Sequence, residues 1–149
     1  MAGSLGGRVL YAATALPSDD PDLRRRVRLH RERRPAAWGT VEAGDLGGLT
    51  AEAEHWDAVL LDSLTLWVSA QLHAVGEDGT LAGFEGFLED VSAHRTPFVL
   101  VSDEVGLGVV PESPEGRHFR DVLGAANRRA AAAAREVHLC VAGIGVRIK

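Results

Sequence analysis

One histidine lies in the most basic stretch of the sequence, and together these residues could carry out chemistry at phosphorus. Residues 24–34 read RRRVRLHRERR, with seven arginines in eleven positions. Arg26 and Arg34 lie four residues before and four residues after His30, so on a helix both can flank its ring. Their positive charges favour the neutral, nucleophilic imidazole and can hold phosphate oxygens. Attack on an α-phosphate requires this combination of groups.

Helical spacing also predicts the direction in which this histidine points. Leu23, Val27 and His30 fall at i, i+4 and i+7, so they share one face of a helix, which we expect to turn towards a β-sheet. The alternative is a partly buried histidine that only packs or makes one hydrogen bond, on a helix whose basic face is solvated. The spacing leaves both interpretations open.

The elements that must position these residues alternate between strand and helix. Apolar runs predict buried strands at 8–15, 58–62, 97–102 and 137–142, and a last short strand at 146–149. Helices are predicted at 21–33, weakly at 49–55, and at 64–75, 84–94 and 114–136, with Asp20 and Ser113 as N-caps. The pattern is typical of a single α/β domain over residues 1–149, with a mostly parallel sheet flanked by helices.

Composition restricts the classes of function. The net charge of −5 argues against general nucleic-acid binding, and a local basic segment on an acidic chain favours a small anionic ligand. We find no apolar run that could span a membrane and no secretory signal, so we expect a cytoplasmic protein. The single cysteine, Cys140, falls in a predicted buried strand and is expected to be a small core residue.

Polar residues follow the ends of the predicted strands. Thr14 lies at the end of the first strand, Asp62 and Ser63 lie at the end of the second, and Asp103 and Glu104 follow the third. Ligands of parallel sheets collect at the carboxyl ends of the strands. We therefore expect a site at this edge of the sheet.

An ordered set of phrases covers nearly the whole chain. These are RVLYAAT at 8–14, RVRLHRERRPAAW at 26–38, TVE at 40–42, LLDSLTLW at 60–67, VSDEVGLGVVP at 101–111, RHFRDVLGAAN at 117–127 and VAGIGVRIK at 141–149. In this order and at this spacing, the sequence resembles the family of bifunctional adenosylcobinamide kinases and adenosylcobinamide-phosphate guanylyltransferases of cobalamin biosynthesis. Each phrase alone is weak, whereas the ordered set is specific.

The resemblance implies a fold and two reactions. The fold would be that of the RecA-like P-loop NTPases. The first reaction phosphorylates the aminopropanol hydroxyl of adenosylcobinamide with GTP or ATP. The second transfers GMP from GTP to that phosphate through a guanylylated histidine, and His30 is the matching position.

The resemblance also implies roles for further residues. A nucleotide site would be formed by Thr14, Arg26, Arg33, Arg34, Pro35, Glu42 and Asp62, with Trp38 shaping its guanine pocket. Asp62 would also hold Mg²⁺, directly or through water, although a strand-end carboxylate can instead cap the helix that begins near Leu64. The substrate-binding loop near the corrinoid would contain Asp103, Glu104, Gly106 and Gly108.

The chain departs from the family before its first strand. The family opens with a strand, a Gly-Lys-Ser phosphate loop and a helix, whereas seven residues without a lysine precede the first strand here. We therefore expect the first strand, loop and helix of the fold to be missing and the kinase step to be weak or absent. A partner subunit, as in the family's homotrimers, would cover the exposed sheet edge, or the start codon is placed too late.

Two other hypotheses stay open. The chain could be a nucleotide-binding or corrinoid-binding remnant of the family that has lost turnover. Alternatively, it could be an unrelated anion-binding α/β domain whose arginine-rich helix docks a protein partner.

Overall fold

The computed structural model describes residues 7–15, 21–32 and 34–149, without the side chains of Leu23, Arg26 and His30. The predicted helix cap Asp20 lies outside the described residues. The strands are β1 (Val9–Ala13), β2 (Gly39–Glu42), β3 (Ala58–Asp62), β4 (Phe98–Val101), β5 (His138–Val141) and β6 (Ile144–Arg147). The helices are α1 (Pro21–Glu32), α2 (Leu49–Ala53), α3 (Leu64–Ala93) and α4 (Pro114–Ala133), with a 3-10 turn at Val105–Leu107.

Four strands form a parallel sheet in the order β2-β1-β3-β4. Tyr11 in β1 lies opposite Thr40 of β2 on one side and Leu60 of β3 on the other. The mostly parallel sheet flanked by helices that the sequence predicts is therefore confirmed. Strand β2 was not predicted, because its four residues, GTVE, alternate between half-buried and exposed and form no apolar run.

The main core lies on one face of this sheet. Leu10, Ala12, Val59 and Leu61 alternate along β1 and β3 and belong to one buried cluster with residues of α2, α3 and α4. Helix α3 contributes its aromatic side chains, which continue as a chain of ring contacts to β4. The ring centroids are 5.8 Å apart for Trp67–Phe84, 6.2 Å for Phe84–Phe87 and 5.9 Å for Phe87–Phe98.

Helix α3 consists of two helical segments that are interrupted at Gly76. Gly76 has a φ of 73° and a ψ of −176°, a non-helical conformation that side chains disfavour, and it separates the two segments of α3. The Thr80 hydroxyl donates to the Gly76 carbonyl at 2.6 Å just after the kink. The two helices predicted for this region, at 64–75 and 84–94, are therefore confirmed, although the second begins earlier than predicted, soon after Gly76.

The other face of the sheet carries a smaller apolar cluster. Val9 and Ala58 are fully buried there, and Trp38, Leu60 and Val99 pack against them. Since alternate residues of a strand share a face, this face also presents Tyr11 and Asp62, which follow Val9 and Leu60 by two positions. The polar site described below is therefore on the opposite side of the sheet from the main core.

Helix α4 has a defined cap at each end. As predicted, Ser113 is its N-cap, because its hydroxyl accepts a hydrogen bond from the Gly116 N–H at 3.0 Å. At the other end, Lys149 Nζ donates to the carbonyl oxygens of Ala131, Ala132 and Ala134, at 2.8, 3.0 and 2.7 Å. The helix therefore ends at Ala133, three residues before the predicted limit.

Strands β5 and β6 form a separate antiparallel hairpin that turns at Ala142 and Gly143, both with positive φ. Its residues are mostly exposed, including Val141 and Ile144. Cys140 is exposed as well, so the prediction of a core cysteine is wrong. The apolar run 137–142 has the pattern of a buried strand, but among the described residues it pairs with β6 alone. None of the helices in the described part of the chain is long and apolar enough to cross a membrane.

Candidate functional site

The carboxyl ends of the central strands are tied together at one edge of the sheet. The buried Thr14 hydroxyl accepts a hydrogen bond from the Ser63 N–H and donates one to the Ser63 carbonyl, both at 2.7 Å. The Thr14 N–H also donates to the Asp62 carbonyl at 3.3 Å. Thr14, which the family resemblance places at the nucleotide, here uses its side chain to fix the backbone that follows Asp62.

The helix that follows β3 is capped by Ser63. Its hydroxyl accepts a hydrogen bond from the Leu66 N–H at 3.3 Å, and its backbone is extended, as an N-cap requires. The alternative interpretation of Asp62 as this cap is therefore wrong. The Asp62 carboxylate instead accepts a hydrogen bond through Oδ2 from the Tyr11 hydroxyl, at 2.5 Å.

Tyr11 is a residue of this site that was not predicted from the sequence. It is 7% exposed, and burial, followed by the hydrogen bond to the Asp62 carboxylate, raises its pKa from 10.0 to about 12. The phenol therefore remains a neutral donor near neutral pH. The available signal was its position, because Tyr11 is the one side chain with a hydrogen-bonding group in the VLYAA run of β1.

Arg34 lies directly against this tyrosine. Its guanidinium carbon is 3.3 Å from the centroid of the Tyr11 ring, a cation–π contact. One of its terminal nitrogens donates to the Thr40 hydroxyl at 3.0 Å. Within the described part of the chain, its buried Nε has no hydrogen-bond partner.

A pocket of about 480 Å³ opens between the end of α1 and strand β2. It is lined by Arg31, Arg34, Pro35, Ala36, Trp38, Thr40 and Glu42. Three of these residues, Arg34, Pro35 and Glu42, are among those predicted for the nucleotide site, and Trp38 was expected to shape it. The lining combines two cations, one carboxylate and one aromatic ring, a combination that can bind phosphate oxygens and a polar base.

Two lining residues face each other at the rim of this pocket. Arg31 approaches the Glu42 carboxylate at 3.8 Å, and both side chains are more than half exposed. Exposed pairs of this kind contribute little to stability, so the pair can open at little cost to admit a ligand.

The predicted nucleophile is only partly located. His30 directly precedes the lining residue Arg31 on α1, but its side chain and that of Arg26 are not among the described parts of the chain. Arg33 lies entirely outside the described residues. Val27, which shares the predicted inward face with His30, is half-buried.

The loop after β4 is anchored next to Asp62. The Asp103 N–H donates to the Thr65 hydroxyl at 2.9 Å, and the Asp103 carbonyl accepts from the Asn127 side chain at 3.1 Å. The Glu104 carboxylate accepts from the Gly106 N–H at 3.0 Å. Asp103, Glu104, Gly106 and Gly108 are all exposed, so this predicted substrate-binding loop presents itself to solvent at the same edge as Asp62.

The chain matches known proteins over almost its full length. Residues 1–148 match the family described as cobinamide kinase / cobinamide phosphate guanyltransferase. The chain is 42% identical over 157 aligned residues to the bifunctional adenosylcobalamin biosynthesis protein CobU of Salmonella typhimurium, covering 95% of this chain and 86% of that protein. The CobU of Escherichia coli K12 is 40% identical with the same coverage. The CobP of Pseudomonas aeruginosa is 34% identical over 151 residues, covering 100% of this chain and 87% of its own length.

Proposed function

Because this chain belongs to the cobinamide kinase / cobinamide phosphate guanyltransferase family, a family of enzymes, we propose that it transfers GMP from GTP to adenosylcobinamide phosphate. The observation that carries the proposal is the pocket formed by the segment directly after His30. Arg34, Pro35, Trp38 and Glu42 come together there at the end of the helix that contains this histidine.

We propose His30 as the nucleophile. A nitrogen of the neutral imidazole attacks the α-phosphorus of GTP, and the bond from that phosphorus to the bridging oxygen breaks, releasing pyrophosphate. A phosphate oxygen of adenosylcobinamide phosphate then attacks the same phosphorus. The P–N bond breaks, and the imidazole returns to its starting state with adenosylcobinamide-GDP as the product.

The pocket residues supply the binding groups for this reaction. Arg31 and Arg34 would hold phosphate oxygens, and the Arg34 guanidinium is already seated on the Tyr11 ring. Trp38 offers a face on which a purine can stack, and the Glu42 carboxylate can accept the two adjacent N–H groups of guanine. An adenine lacks that pair of donors, so Glu42 would favour GTP over ATP in this pocket.

The residues at the strand ends fit a magnesium ion that is held mainly by the substrate. Mg²⁺ usually takes one or two carboxylates, with water and substrate phosphates completing its octahedron. In the described ranges no group of three or more His, Cys, Asp or Glu side chains could form an all-protein cage. Asp62, a single carboxylate at the end of β3, would hold the ion directly or through water. When bound, the ion would neutralise charge on the departing pyrophosphate.

The loop after β4 would receive the corrinoid. It carries the polar residues Asp103 and Glu104, followed by the apolar residues Leu107 and Val109, which are 78% and 95% exposed. A loop of this composition suits a large substrate with both apolar and amide groups. Its anchor on Thr65 keeps it next to Asp62, where the proposed acceptor phosphate must arrive.

Assembly into a homo-oligomer would cover apolar residues of the hairpin. Val141, Ile144 and Val146 are more than half exposed on β5 and β6. A homotrimer would remove such a surface from water. Light scattering after size exclusion would give the mass, and a monomer would refute this part of the proposal.

The proposal concerns the guanylyl-transfer reaction. Phosphate loops use a lysine to bind the triphosphate. The one lysine of this sequence, Lys149, donates its amine to three carbonyl oxygens at the end of α4. It is therefore engaged elsewhere and does not serve as that lysine.

The proposal is tested by incubating the protein with Mg²⁺ and GTP labelled at the α-phosphate. We expect a label on the chain that is acid-labile and alkali-stable, as a phosphoramidate is, and that adenosylcobinamide phosphate discharges. His30→Ala should abolish the label. His55→Ala, which removes an exposed histidine after α2, should retain it.

Label persisting in His30→Ala would show that another residue is the nucleophile. Binding of GTP or corrinoid without any label would favour the remnant without turnover. Failure to bind either would favour the unrelated anion-binding domain.

A further inference from the structure

Tyr11 contacts two parts of the site, the Asp62 carboxylate at the end of β3 and the Arg34 guanidinium in the pocket beside β2. Its hydroxyl reaches from the middle of β1 to the carboxylate at the end of β3, donating to Asp62 Oδ2 at 2.5 Å. Leu60 is the direct neighbour of Tyr11, and Asp62 is the next residue of β3 on the same face. The phenol therefore spans one diagonal position of the sheet, which is within reach of a long aromatic side chain.

The ring of the same tyrosine supports the pocket. The Arg34 guanidinium stacks on it at 3.3 Å and is held from the side by the Thr40 hydroxyl at 3.0 Å. Thr40 is the neighbour of Tyr11 on β2, so strand register fixes both contacts of Arg34. The guanidinium is planar, and it is restrained in this way before any nucleotide binds.

We propose that Tyr11 is a positioning residue that orients the Asp62 carboxylate with its hydroxyl and the Arg34 guanidinium with its ring. This inference rests on the proposed function, in which Asp62 holds a metal ion and Arg34 holds phosphate. One rigid, buried side chain then sets the relative position of the two groups that engage the same triphosphate. A residue that only fills the core would act on both sites solely through stability.

The two contacts can be removed separately. Tyr11→Phe deletes the hydroxyl and keeps the ring, so it should affect Asp62 and leave Arg34 in place. Tyr11→Leu deletes both. Thr80→Val is the matched control, because it also removes one buried hydroxyl, in the kinked helix α3.

Metal binding is measured directly, by electron paramagnetic resonance of Mn²⁺ titrated into each full-length variant with GDP present. Loss of an outer partner of a metal ligand typically weakens metal binding about 10- to 100-fold. We expect about tenfold weaker Mn²⁺ binding in Tyr11→Phe, with its metal-independent GDP affinity within about twofold of wild type. In Tyr11→Leu we expect, in addition, a GDP affinity about two- to tenfold lower than that of wild type, because the cation–π contact of Arg34 with the Tyr11 ring is lost.

Urea unfolding of each variant separates positioning from packing. Tyr11→Phe with Mn²⁺ affinity equal to that of wild type would overturn the inference, whatever its stability. A wild-type chain that binds no Mn²⁺ with GDP would overturn it too, since Asp62 would then hold no metal. The result for the proposed function is independent, because a chain that binds Mn²⁺ but forms no histidine label would refute guanylyl transfer and leave the role of Tyr11 intact.

Discussion

The hydrogen bonds between Thr14 and Ser63 should make Thr14 one of the most sensitive positions for a conservative substitution. Thr14→Val keeps the shape of the side chain and removes its hydroxyl. The hydroxyl pairs both the N–H and the carbonyl of Ser63 at 2.7 Å, and Thr14 is 3% exposed. The substitution therefore leaves two buried backbone groups without this partner.

The magnitude follows from the number of groups left unpaired. A buried donor or acceptor that loses its partner costs about 1–3 kcal/mol, so for two such groups we expect Thr14→Val to lower the free energy of unfolding by about 2–6 kcal/mol. Thr80→Val is the matched control, since Thr80 is equally buried but makes a single hydrogen bond, to the Gly76 carbonyl. It should cost about 1 kcal/mol.

The assay is urea unfolding followed by tryptophan fluorescence, in which a lower midpoint at an unchanged m-value reports lost stability. Thr14→Ser retains the hydroxyl and should recover most of the difference, apart from about 1 kcal/mol for the lost methyl group. The reasoning would be refuted if Thr14→Val cost no more than Thr80→Val, or if Thr14→Ser were as damaging as Thr14→Val.

Three further predictions concern single positions. A Cβ at Gly39 would overlap the Trp56 ring, lying 2.5 Å from its Cζ2, so Gly39→Ala should cost about 1–3 kcal/mol in urea unfolding, and an unchanged midpoint would contradict this. Burial raises the pKa of Tyr11, the single tyrosine, from 10.0 to about 12, so the stability that it contributes is complete below pH 10.0 and is lost as pH rises towards 12. Ultraviolet absorbance follows its ionisation directly, and Asp62→Asn should lower this pKa without restoring its ordinary value, because burial, the largest cause, remains. Lys149→Met keeps the aliphatic stem but removes the charge from the end of α4 and should cost about 1 kcal/mol; Lys149→Arg, which retains a cation, should cost less.

Local sequence was sufficient for the elements that form long apolar runs or have explicit caps. Strands β1, β3 and β4 are such runs, and Ser113 before Pro114 predicted the start of α4 correctly. Strand β2 could not be predicted from local sequence, because it is stabilised by pairing with β1 and by the contact of the Trp56 ring with Gly39. Both are long-range contacts. The burial of Cys140 was predicted wrongly for a related reason. An apolar run does not reveal whether its strand joins the main sheet or pairs in a separate hairpin.

The candidate site could be predicted in pieces but not as a whole. Arg34, Pro35 and Glu42 were assigned to one pocket from consecutive phrases, and the structure brings them together. The contacts that join this pocket to Asp62 depend on the register of three strands, which places Tyr11 between Thr40 and Leu60. Such a register cannot be inferred from the spacing of residues along one strand.

The amine of Lys149 at the end of α4 also decides how this protein can be labelled. Amine-reactive dyes and cross-linkers would react with the single lysine of the sequence, abolish its charge and loosen the junction between the helix and the hairpin. Cys140, the single cysteine, is exposed on the same hairpin, and its side chain has no part in the helix cap. A maleimide probe on Cys140 would therefore attach to that hairpin and leave the hydrogen bonds of Lys149 to the end of α4 intact. The thiol is thus the appropriate group for fluorescent labelling or surface immobilisation.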